Sequence, residues 1–139
     1  MSELAAVLIA VAAFVVLALG AAHLALTFIG TKLHPRDPEL AEHLRRVSPR
    51  ITGRTTMWRA WVGFNASHSF GAILFGLIYG YLALAHAPLL LDSPYLLGVG
   101  GAMLGGYVVL AKRYWFRAPL TGLLLASAAY GAGVLVSLG

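Results

Sequence analysis

Two histidines set inside apolar runs are the groups of this chain with which chemistry can be done. His68 lies in Trp61-Val-Gly-Phe-Asn-Ala-Ser-His-Ser69, accompanied by Asn65, Ser67 and Ser69, and His23 lies in Gly20-Ala-Ala-His-Leu-Ala-Leu-Thr27. On a helix Gly20, His23 and Thr27 share one face, as do Asn65, His68 and Ser69. An imidazole or an amide in hydrocarbon costs free energy unless it is paired, so an ionisable group inside a spanning segment is a functional candidate by default. His23 precedes Lys32 by nine residues and His68 follows Arg59 by nine. At 1.5 Å per residue both then sit ~13 Å inside one basic boundary. That common depth is the reason to read them as one site.

Three chemistries suit such a pair. Facing imidazoles can ligate the iron of a b-type haem, with helix glycines making room for the macrocycle, which would make the chain a small electron carrier. They can instead relay protons or hold a small ligand in a pocket lined by His23, Thr27, Asn65, His68, Ser69 and Tyr130. Either histidine can also act as general acid or base on a lipid-soluble substrate. Against these stands a purely structural role, in which each polar group locks two helices together through a hydrogen bond contributing ~0.6 kcal/mol. The last reading makes the protein an accessory membrane subunit.

Other chemistries are excluded or disfavoured. With no cysteine there is no disulfide framework, iron–sulfur cluster or thiol nucleophile. Two imidazoles without carboxylate or thiolate fall short of a zinc site, so no metal is assigned. No Asp or Glu lies inside an apolar segment, which weakens ion-coupled transport and removes the membrane-embedded glutamate of small multidrug exporters; Glu3 is terminal.

The elements that must position these residues are membrane helices. Of 139 residues, 60% are hydrophobic and 11% charged, with a mean hydropathy of +0.82; a soluble domain of this size does not reach such values. Apolar segments at 4–30, 58–84, 95–111 and 119–138 are each long enough to cross a ~30 Å hydrocarbon core. The expected fold is all-α, a single-domain integral membrane four-helix bundle. The first segment has no basic n-region and runs about 27 residues, too long for the ~7–15 residues of a signal-peptide core, so it reads as a retained helix. In the 31–57 connection, Asp37 as cap, Pro38 in the first turn and the acidic Glu39 predict a short helix to Val47. Its Leu40, Leu44 and Val47 fall on one face, as for a cytoplasmic helix lying along the membrane surface. Gly76-Leu-Ile-Tyr-Gly80 and Gly101-Ala-Met-Leu-Gly105 have the small-xxx-small spacing of close helix approach, within the chain or in a homo-oligomer or larger membrane complex.

The net charge is +5, and all ten Lys and Arg fall within Lys32–Arg59 and Lys112–Arg117. Those are alternate connections on one side of the membrane. The positive-inside rule therefore puts both in the cytoplasm and both termini in the periplasm. The same clustering argues against a nucleic-acid partner and for anionic lipid. Arg45, Arg46, Arg50, Arg54, Arg59, Lys112, Arg113 and Arg117 are read as headgroup contacts and topology determinants, with a specific anion site among the loop arginines as the alternative. His34 and His43 are expected to be solvated. Trp58 and Trp61 suit an interfacial belt at the cytoplasmic mouth, and Tyr79 and Tyr81 approach the far end.

Thr55-Thr-Met-Trp-Arg-Ala-Trp-Val-Gly-Phe-Asn-Ala-Ser-His-Ser-Phe-Gly71, Gly20-x-x-His23 and Arg113-Tyr-Trp-Phe-Arg-Ala-Pro119 together resemble a family of small bacterial four-helix membrane proteins. The resemblance spans nearly the whole chain. It implies that fold and a bacterial inner-membrane location, and no activity.

Overall fold

The computed structural model describes residues 1–139, and every regular element in it is a helix. In order these are α1 (Ser2–Phe28), α2 (Pro38–Arg46), α3 (Met57–Ala85), α4 (Ala87–Leu91), α5 (Pro94–Tyr114) and α6 (Arg117–Leu138). Helices α1, α3, α5 and α6 are long and apolar enough to cross a membrane, consistent with a multi-pass membrane protein. Even the shortest, the 21 residues of α5, extends ~32 Å. Phe14, Phe64, Leu84 and Leu135 are each at least 69% exposed, and an apolar shell of that kind is suited to hydrocarbon.

Local chemistry explains most helix ends. The helix α1 stops at Phe28, two residues before the expected end, and Gly30 follows at φ 79°, where only glycine is unstrained. Asp37 caps α2 as expected, its carboxylate accepting from the Glu39 amide at 2.9 Å, with Pro38 in the first turn. Ser93 caps α5 by accepting from the Leu96 amide at 3.3 Å. At its other end α5 runs three residues past the expected Ala111, so Lys112 and Arg113 lie in its last turn, where cations suit the negative end of the dipole. Only Trp115 and Phe116 then separate it from α6. Pro119 is the third residue of α6, a position whose amide has no intrahelical partner to lose. The turn expected between Ala85 and Pro94 contains the five-residue α4, which buries Leu90 completely.

Packing divides the chain into two compact units, residues 1–19 with 72–139, and residues 20–71. In the first, α1 contributes Ile9, Ala12, Ala13 and Val16 to the core, α3 contributes Ala72, Phe75, Tyr79 and Ala83, and α5 and α6 contribute Leu104, Tyr107, Leu123 and Tyr130. The spacings of three and four residues are those of single helix faces. Gly76 allows the expected close approach: a Cβ there would meet the Ala13 carbonyl at 2.8 Å and Leu17. The second expected seat is displaced. A Cβ at Gly105 would meet nothing and one at Gly101 only Tyr130 at 3.9 Å, whereas one at Gly100 would overlap both Tyr130 and Tyr79. One residue is a 100° rotation about the helix axis, so the packed face of α5 carries Gly100 and leaves Gly101 and Gly105 exposed.

Candidate functional site

The second unit contains the last turns of α1, the connection with α2, and the first half of α3. Here His23 and His68 meet. Their rings lie 5.4 Å apart between centroids at an interplanar angle of 88°, edge to face. Between His23 Nε2 and the Asn65 side-chain oxygen Oδ1 there is a hydrogen bond of 2.9 Å. The other half of the Asn65 amide is fixed as well, because Nδ2 donates to the Trp61 carbonyl one turn back at 2.8 Å. Oδ1 carries no hydrogen and can only accept, so His23 donates through Nε2. In the neutral imidazole this makes Nδ1 the basic nitrogen. Asn65 thus selects the tautomer of His23 as well as its orientation. All three side chains are half-buried.

Thr27 and Ser69 serve these residues through the backbone. The Thr27 hydroxyl donates to the His23 carbonyl at 2.8 Å, and the fully buried Ser69 hydroxyl donates to the Asn65 carbonyl at 2.9 Å. Ser67 likewise donates to the Phe64 carbonyl at 3.0 Å. Tyr130 belongs to the first unit. Its hydroxyl donates to the Leu97 carbonyl at 2.8 Å, beside Tyr79, whose hydroxyl donates to the Leu96 carbonyl at 2.6 Å.

Counting helical residues to Lys32 and Arg59 predicts equal depth, but α1 ends at Phe28 and the count does not hold along it. Only five residues separate His23 from the end of α1 at Phe28, a rise of ~8 Å, whereas eleven separate His68 from the start of α3 at Met57, ~17 Å. The two rings nevertheless meet, so α3 reaches about 9 Å further toward the connection than α1 does.

Two tryptophans staple that connection to α3. Trp61 Nε1 donates to the Leu33 carbonyl at 3.1 Å. Trp58 contacts the His34 ring at 4.6 Å and carries the Arg45 guanidinium at 5.6 Å from its ring centroid, within cation–π range. The half-buried His34 is therefore a packing partner of Trp58, against the solvated position expected from sequence; His43 is exposed as expected. Arg45 and Arg46 also reach Glu42 at 3.9 and 3.7 Å in exposed pairs, which contribute little to stability. Arg50, Arg54 and Arg59 are exposed, as are Lys112, Arg113 and Arg117 around the α5–α6 turn.

For haem, the fit is poor at one point: iron bound through Nε2 of His23 would have to displace Asn65. No group of three His, Asp or Glu side chains is assembled anywhere in the chain. The Asn65 and Ser69 bonds to backbone carbonyls are not read from sequence, although their spacing of four residues on one helix is a signal that could have found them; the Trp61 bond to Leu33 spans 28 residues and has no such signal. No family model matches the chain, and no curated protein or solved structure does either.

Proposed function

We propose that this chain is a multi-pass protein of the bacterial inner membrane in which His23, Asn65 and His68 form an intramembrane site for a small ligand or lipid-soluble substrate that gives a hydrogen bond or a proton to imidazole. In this reading the four long helices form a bundle, α2 lies along the cytoplasmic surface against anionic lipid, and both termini are periplasmic. The orientation rests on the confinement of all ten Lys and Arg to two alternate connections.

One observation carries the site: two imidazoles from separate helices are in edge-to-face contact, one of them oriented by an amide. A lock between helices needs no titratable group, as the Tyr79 and Tyr130 bonds to the Leu96 and Leu97 carbonyls of α5 illustrate. An imidazole adds a lone pair and a proton that exchange roles on protonation. With Nε2 donating to Asn65, Nδ1 of His23 is the atom that accepts a hydrogen bond or proton from a ligand, leaving both ring nitrogens as donors once protonated. The second reading is the packing lock, favoured by the direct His23–Asn65 bond between α1 and α3 and by the engagement of Thr27 and Ser69 within their own helices.

A double-mutant cycle separates the two. His23→Ala, His68→Ala and the double variant are compared by thermal denaturation in detergent, with and without native lipid extract. Coupled effects together with stabilisation by the extract that the variants lose support the site. Coupling with no response to extract supports the lock, and purely additive effects remove the site altogether.

A further inference from the structure

A second polar site lies at the basic end of α1 and stands apart from the histidine pair. Gly30 turns the chain out of the helix, and the following residues line a cleft of about 570 Å³ whose polar walls are Thr31, Lys32, His34 and Arg36, with Pro35 and Pro38 beside them. This segment is held from three directions. The His34 amide donates to the Thr31 carbonyl at 3.0 Å, Trp61 Nε1 donates to the Leu33 carbonyl at 3.1 Å, and the His34 ring packs on Trp58. Side chains on such a backbone are presented without further ordering of the main chain, which lowers the entropy cost of binding.

No carboxylate lies within ion-pairing distance of the cations lining this cleft. The ion pairs of the chain are those of Glu42 with Arg45 and Arg46. The nearest carboxylate in sequence, Asp37, is engaged with the Glu39 amide as a helix cap. Lys32 and Arg36 therefore flank the cleft as cations without a carboxylate partner. Phe28 and Ile29, immediately before it, are 65% and 71% exposed, so the cleft adjoins an apolar collar at the end of a helix long enough to span.

We propose that this cleft binds a phosphate group. A guanidinium offers a planar pair of donors to phosphate oxygens and an ammonium a point charge, and Thr31 and His34, which also line the cleft, can add hydrogen-bond donors. The phosphate can come from a phospholipid headgroup at the membrane face or from a free phosphate in solution; the chemistry of recognition is shared.

The full-length protein in a neutral detergent is titrated with phosphatidic acid in mixed micelles and, separately, with inorganic phosphate, following tryptophan fluorescence because Trp58 touches His34. Saturable binding is expected, and Lys32→Gln/Arg36→Gln weakens it by about tenfold or more, the loss of charge-assisted hydrogen bonds. Arg50→Gln/Arg54→Gln, which removes the same charge from the same connection outside the cleft, changes it by less than about twofold because such charges are screened by salt. Lys32→Arg/Arg36→Lys keeps the charge and most of the binding, which guards against a folding defect. Saturation by inorganic phosphate assigns the site to a free phosphate, and saturation by phosphatidic acid alone to a headgroup. Equal weakening by the two glutamine pairs, equal binding of diacylglycerol, or no saturable binding of either probe overturns the proposal.

Discussion

Asn65 reaches His23 across 42 positions of sequence, joining α3 to α1 through a 2.9 Å hydrogen bond from Nε2 to Oδ1. Because its Nδ2 is spent on the Trp61 carbonyl, Asn65 cannot turn over without losing both bonds. An amide pinned at both ends is what gives the imidazole a defined tautomer.

The Asn65–His23 bond is expected to be energetically coupled. Asn65→Ala and His23→Ala should each destabilise the protein in detergent, and the double variant should fall short of their sum by ~0.6 kcal/mol, up to ~1.7. Thermal denaturation of the four proteins measures the difference. Strict additivity would mean that the bond contributes nothing in the membrane-mimicking state.

Neighbouring glycines on α5 should behave oppositely. Gly100→Ala puts a methyl group into Tyr130 and Tyr79 and should cost ~1–3 kcal/mol by overpacking. Gly105→Ala points into open space and should be neutral or stabilising by up to ~1 kcal/mol through helix propensity. Equal melting temperatures for the two variants would place the rotation of α5 elsewhere.

Ser127 has a buried hydroxyl oxygen with no hydrogen-bond partner. Removing it by Ser127→Ala should raise the melting temperature, since the desolvation of that hydroxyl is uncompensated and costs ~1–3 kcal/mol. A lower melting temperature would show that the hydroxyl has a partner in the folded protein.

Haem should not copurify, because Nε2 of His23 already serves Asn65. The absorbance spectrum of protein expressed with added haem precursor checks this directly. A Soret band lost in both His23→Ala and His68→Ala would return the pair to the role of axial ligands.

Topology is tested with reporters. Tags at either terminus should be reached from the periplasm and one inserted beside Ser48 from the cytoplasm, in accord with the basic connections. The opposite labelling would move the Lys32–Arg36 cleft to the outer face and with it the pool of phosphate that it meets.

What the chain's sequence determined by itself is whatever depends on neighbours along the chain. The four long apolar helices lie within three residues of their expected ends, because spanning length is a property of composition over a window. The start of α2 was legible for the same kind of reason, since Asp37-Pro38-Glu39 carries its own cap. The contact of His23 with His68 was suggested by polar groups that need partners inside apolar helices, although the equal depth expected from the basic residues does not hold. Tertiary structure decided what depends on rotation and on distant partners. A rotation of 100° per residue separates Gly100, packed under two tyrosines, from Gly101, which is exposed, and no local signal distinguishes them. His34 acquires its place from Trp58, and Leu33 its hydrogen bond from Trp61, both across the connection. Tyr130, expected beside the histidines, bonds Leu97 instead, because its hydroxyl takes the carbonyl that helix packing sets before it.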